Sequence, residues 1–153
     1  MTAKDVQQDL IDRMALLDTR HNVAFHDHGG DDPVGDAMYP LIAEKIQVGL
    51  WDRDPATLVQ VRAIVDPGDM RTAAFWQTPL GVLLFAAGGF PTREMPQSLA
   101  ATVLGCSRQY VHELIVSGKL LSAASPAGSR GGRMVDAEGV AALLRRKLDK
   151  LVK

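Results

Sequence analysis

The sequence predicts a mainly α-helical chain in two parts. An acidic N-terminal helical region precedes a basic C-terminal module of helix, turn, helix, short β-hairpin and helix. Three observations predict this. Apolar residues recur at spacings of three and four through residues 4–87, with no strand-like alternation. Near the C-terminus, Gly105 and Gly118 punctuate two short segments with apolar faces. Charge is also divided: residues 96–153 hold nine Lys/Arg against four Asp/Glu, whereas residues 1–95 hold eight against fourteen, a split hidden in the net charge of −1. The expected organisation is a helical assembly or partner domain over 1–90, a short linker over 91–96, and a second domain over 97–153.

In the first part, residues 4 to about 25 place Val6, Leu10, Met14 and Leu17, with Ile11 beside them, on one stripe of a helix. Asp5, Asp9, Asp12 and Arg13 take the other side. The run from His28 through Gly29, Gly30, Asp31 and Asp32 to Pro33 breaks the pattern. A second helix follows, its main part starting at Pro40, with Leu41, Ile42, Ile46 and Leu50 expected to pack. Asp54-Pro55 opens a third helix, because proline is favoured at the first helical position. Leu58, Val61, Ile64 and Val65 point inward, and Pro67-Gly68-Asp69 ends it. Thr78-Pro79 starts another, with Leu80, Leu83, Leu84 and Ala87 on one side and Gly88-Gly89 as its stop. Phe75, Trp76, Phe85 and Phe90 concentrate aromatic bulk within sixteen residues. They read as shared core or as an interface, either between copies or at the seam of the two parts.

In the second part, residues 97–116 read as a helix, a tight turn at Gly105 and a second helix. Ala100, Ala101, Leu104, Cys106, Val111, Leu114 and Ile115 fall where two short crossing helices need small or apolar side chains. Gly105 supplies a positive φ and Ser107 caps the second helix. That helix then exposes Arg108, Gln109, His112 and Glu113. Ser117-Gly118-Lys119-Leu120 closes it, with Gly118 as the left-handed cap. A strand within Leu120–Ala124, a loop over 125–132 rich in Gly and Ser, and a return strand at Arg133-Met134-Val135 make a hairpin. Asp136 caps a last helix from Ala137 to about Leu151. The cations Arg145, Arg146, Lys147, Lys150 and Lys153 read as a solvated face that favours the helix dipole. Helix, turn, helix, hairpin and helix compose a winged helix-turn-helix, in which the second helix enters the DNA major groove.

The run from Leu104 to Leu120 (L-G-C-S-R-Q-Y-V-H-E-L-I-V-S-G-K-L), the later S-R-G-G-R-M-V and the D-A-E-G-V-A-A-L-L after it resemble the DNA-binding domains of MerR-type regulators and phage excisionases. The resemblance covers residues 96–148. It implies that Ser107, Arg108, Gln109, Tyr110 and His112 belong to a recognition helix, with Lys119 at its close. It also implies that Arg130 and Arg133 are basic wing residues touching phosphate or the minor groove. The loop is longer and richer in Gly and Ser than the family's, and effector binding is not implied. The positive charge of this part suits the phosphate backbone independently of the resemblance, while the acidic first part should face away from DNA.

The other cluster that invites chemistry is His21, His26, Asp27, His28, Asp31, Asp32 and Asp36. Imidazole and carboxylate are zinc ligands. His26 and His28 are two residues apart, however, and the glycine pair after them favours a solvated acidic turn, so no metal is expected. No nucleophile motif, phosphate-cradling glycine loop or paired carboxylate frame is visible, and neither an enzyme nor a cofactor is expected. The hydrophobic content of 46% is ordinary for a soluble protein. The longest apolar run, Val82–Ala87, is too short to span a bilayer. No signal-peptide pattern opens the sequence, and the single cysteine suits a reducing cytoplasm. The expected function is a sequence-specific double-stranded DNA-binding regulator: a transcriptional regulator, or a phage-type repressor or excisionase. Residues 1–95 would supply a homodimer or protein-partner contact. The alternative is an adaptor or antitoxin whose helical domain grips a protein partner. A small metal-dependent enzyme is the third reading and needs the histidines to converge.

Overall fold

The computed structural model describes residues 1–25, 33–123 and 134–152. They are mainly helical, with one small antiparallel sheet. The helices are α1 (Ala3–Phe25), α2 (Pro33–Trp51), α3 (Pro55–Ile64), α4 (Pro79–Ala86), α5 (Gln97–Leu104), α6 (Arg108–Val116) and α7 (Ala137–Val152). The strands are β1 (Glu94–Pro96), β2 (Ser122–Ala123) and β3 (Met134–Asp136). The chain divides into two compact units, Met1–Leu83 and Leu84–Lys153.

In the first unit α1 begins with a reciprocal cap. The Thr2 N–H donates to Asp5 Oδ2 at 2.6 Å and the Asp5 N–H donates to Thr2 Oγ1 at 3.3 Å. The bond from the Thr2 backbone holds the Asp5 carboxyl below its ordinary pKa. Val6, Leu10 and Met14 are buried, as the periodicity predicts. Their partners on α2 are not all the expected ones. Ala43, Ile46 and Leu50 are buried, but Leu41 is 64% exposed and Ile42 36% exposed. The buried face of α2 also takes Gln47, whose Oε1 accepts from Gln7 Nε2 at 3.2 Å, so a polar residue is satisfied inside the interface. Pro40 does not start this helix but lies within it. Asp54 caps α3 by accepting from the Ala56 N–H at 3.2 Å, and Thr57, Val61 and Val65 face inward while Leu58 and Ile64 are half-buried.

Between α3 and α4 the chain makes two short 3-10 turns, Asp69–Arg71 and Phe75–Gln77. Trp76 is 1% exposed and its indole N–H donates to the Met70 carbonyl at 3.0 Å. Arg13 lies over the Phe75 ring, 5.1 Å from its centroid, and its Nε donates to Asp9 Oδ1 at 2.8 Å. Asp9 Oδ2 accepts the N–H of Leu80 at 3.0 Å. A residue expected on the solvated side of α1 therefore caps the start of α4, where a carboxylate also meets the positive end of the helix dipole. Leu80, Leu83, Leu84, Phe85, Ala86 and Ala87, in and just after α4, are all under 5% exposed.

In the second unit β3 is the central strand, in the order β1-β3-β2. Met95 pairs with Val135, and Ser122 pairs with Val135 from the other side. The sequence marks the segment 91–96 as a linker. Its last three residues instead form a sheet strand, with Met95 fully buried, and the Arg93 carbonyl accepts the Ala137 N–H at 2.8 Å. Pro96 is compatible with this because β1 is an edge strand. The aromatic cluster is also apportioned: Phe75 and Trp76 pack edge to face with centroids 4.9 Å apart in the first unit, and Phe85 and Phe90 pair at 5.2 Å in the second.

Candidate nucleic-acid interface

The candidate surface is built from α5, the turn after it, and α6. Gly105 ends α5 at φ 67°, ψ 35°, in the left-handed region that costs an L side chain about 1–2 kcal/mol. The Cys106 N–H reaches back to the Ala101 carbonyl at 3.0 Å and the Gly105 N–H to Thr102 at 3.2 Å, which together close the helix end. Ser107 is extended, and its Oγ accepts the Tyr110 N–H at 3.1 Å to start α6. At the far end Gly118 has φ 77°, and the Lys119 N–H donates to the Leu114 carbonyl at 3.0 Å. Both ends of α6 are therefore fixed by short-range bonds of the kind the sequence predicts.

Packing then decides which face of α6 is free. Val111 and Leu114 are buried, as are Ala100, Ala101 and Leu104 of α5; Ile115 is half-buried. Ser107, Arg108, Gln109, Tyr110, His112 and Lys119 are all exposed, so the structure brings these six candidates to the accessible surface of one element and its ends. Glu113 and Val116 share that face, and Val116 is 73% exposed. Val116 is the residue sequence reasoning missed. Its signal was available: it stands four residues after His112 and seven after Gln109, in line with both on a helix. A large apolar side chain is thus left in water at the C-terminal end of a polar face.

The last helix braces the turn. Lys147 of α7 donates from Nζ to the Leu104 carbonyl at 2.8 Å, which satisfies a carbonyl at the end of α5 with a cation. Asp136 Oδ2 accepts the Gly139 N–H at 3.1 Å and so caps α7 as predicted. Cys106 is half-buried and not fully in the core, and with Tyr110, Leu114, Leu143 and Lys147 it lines a cavity of about 230 Å³. Burial pushes its thiol pKa up, and the Lys147 ammonium pulls the other way without cancelling that shift. Less thiolate is then present at any pH below the raised value, so Cys106 is expected to alkylate more slowly with iodoacetamide than free cysteine at pH 8. A rate equal to or above that of the free thiol would contradict this placement.

Arg130 and Arg133, the wing candidates, lie outside the described residues, as do His26 and His28. His21 lies within α1. Among the described residues no group of three or more His, Cys, Asp or Glu is placed to hold a metal ion. Among them, too, no helix is long and apolar enough to cross a membrane. No protein-family model matches the chain, and no curated protein or solved structure matches it significantly.

Proposed function

We propose that this chain is a sequence-specific double-stranded DNA-binding regulator, and that residues 84–153 act as a winged helix-turn-helix. The observation that carries the reading is the exposed face of α6, with Arg108, Gln109 and His112 beside a helix start fixed by Gly105 and Ser107. Arg pairs bidentately with guanine and Gln with adenine, and both stand in the first turn of the helix, which in this class lies nearest the base edges. The unit carries ten Lys/Arg against five Asp/Glu, which suits a polyanion. The hairpin formed by β2 and β3 spans the segment that holds Arg130 and Arg133, the place of a wing in this architecture.

The test is selection of bound duplexes from a random pool by the purified full chain. A shared base motif is the expected outcome, and recovery of the input composition would sink the reading. On the selected duplex, Arg130→Ala or Arg133→Ala should each lower the slope of log affinity against log salt by about 0.9, the value for one phosphate left unneutralised. An unchanged slope would put the wing off the DNA.

A further inference from the structure

A helix on the outside of a small domain needs one apolar face, and α2 has two. Ala43, Ile46, Gln47 and Leu50 are buried on one side. On the opposite side Met38, Leu41, Ile42 and Val48 are 50%, 64%, 36% and 48% exposed, at spacings of three, one and six that keep them in a single stripe. Together they leave on the order of 350 Å² of apolar surface in water, the size of patch that on a monomer is often functional. The aromatic cluster is no rival surface, since Phe75, Trp76 and Phe85 are all 3% exposed or less.

We propose that this stripe is a self-association face, and that its occupant is α2 of a second copy, packed antiparallel about a two-fold axis. Charge selects that occupant and that direction. Lys45 stands in the middle of the stripe, and Glu44 flanks it; both are exposed. A parallel pairing would bring Lys45 against Lys45. An antiparallel pairing with its axis level with Ala43 sets Met38 opposite Val48 and Leu41 opposite Lys45. The aliphatic stem of Lys45 then covers Leu41 of the other copy while its ammonium reaches that copy's Glu44, and the arrangement occurs twice by symmetry. The stripe supplies about half of the roughly 800 Å² per partner that a standard interface buries. The pair should therefore be weak in free solution, with a dissociation constant on the order of 10–100 µM. The use of such a pair rests on the DNA-binding reading: two copies on adjacent half-sites are held together without a tight dimer.

Sedimentation equilibrium of the full chain without DNA tests the face separately from its use. A monomer–dimer equilibrium with no larger species is expected. Val48→Glu should weaken it about tenfold or more by placing a carboxylate against the apolar Met38 of the other copy. Val59→Glu, on α3 and equally exposed at 66%, should leave it unchanged. Glu44→Lys and Lys45→Glu should each weaken the dimer by about twofold to fivefold, with the double variant recovering it. Circular dichroism on each variant separates a failure to pair from a failure to fold. A chain that stays monomeric to about 0.5 mM, open-ended growth, or equal losses from Val48→Glu and Val59→Glu would each overturn the proposal. Failure of the double variant to recover would overturn the antiparallel direction. A chain that dimerises as described but selects no duplex leaves the face standing and removes the DNA-binding reading.

Discussion

Arg108→Ala should weaken binding to the selected duplex by about 1–3 kcal/mol, roughly 5-fold to 150-fold, while binding to a scrambled duplex falls far less. Gln109→Ala should behave in the same way at a different base pair. Both side chains are exposed at the start of α6, and neither contributes to the core, so the fold should survive their removal. The discrimination arises because a base edge offers a fixed pair of donors and acceptors that one planar side chain can match, whereas a phosphate attracts any cation. Titration of each variant on selected and scrambled duplexes at one salt concentration reads the difference. Equal losses on the two duplexes would mean that these residues only touch phosphate. Val116→Ala should act more mildly, and only at sites where a thymine methyl group lies under the C-terminal end of the helix.

The second large effect concerns where the basic unit begins. A fragment of residues 97–153, cut at the boundary the sequence suggests, should fail to fold. It lacks β1, and with it the fully buried Met95, the pairing of Met95 with Val135, and the Arg93 carbonyl that accepts the Ala137 N–H. Deleting a buried side chain of this size costs about 2–5 kcal/mol, a large fraction of what a domain of this size has in reserve. A fragment of residues 78–153 keeps β1 and the whole of α4 and should melt cooperatively. Far-ultraviolet circular dichroism during heating distinguishes the two. A cooperative melt from the shorter fragment would show that β1 is dispensable.

The features that sequence reading recovers are those set by local chemistry. Gly105, Ser107 and Gly118 announce the ends of α5 and α6 because a positive φ and an N-terminal oxygen cap are needs of four or five consecutive residues. Asp54-Pro55 and Asp136 announce α3 and α7 for the same reason. What sequence reading misplaces depends on distant partners. The phase of α2 is ambiguous because both of its sides are apolar, and its inner side includes Gln47, whose Oε1 accepts from Gln7 forty residues away. Residues 94–96 look like a proline-rich connection until β3 arrives to pair with them. Asp9 looks like a solvated charge until Leu80 presents an N–H to it. Cys106 resembles a core residue in pattern, and α7 leaves it half-covered.

The brevity of the sheet has a consequence for how copies of this chain meet one another. One of its outer strands is β1, of three residues, and it ends in Pro96, which has no N–H to offer. An outer strand this short gives a foreign strand almost no template to extend, and the proline removes one of its few donors. Edge-to-edge stacking into fibres, the usual hazard of an open sheet, therefore has little foothold on the β1 side. On that side the described residues meet other copies through helix surfaces and loops, which favours small closed assemblies over growing ones.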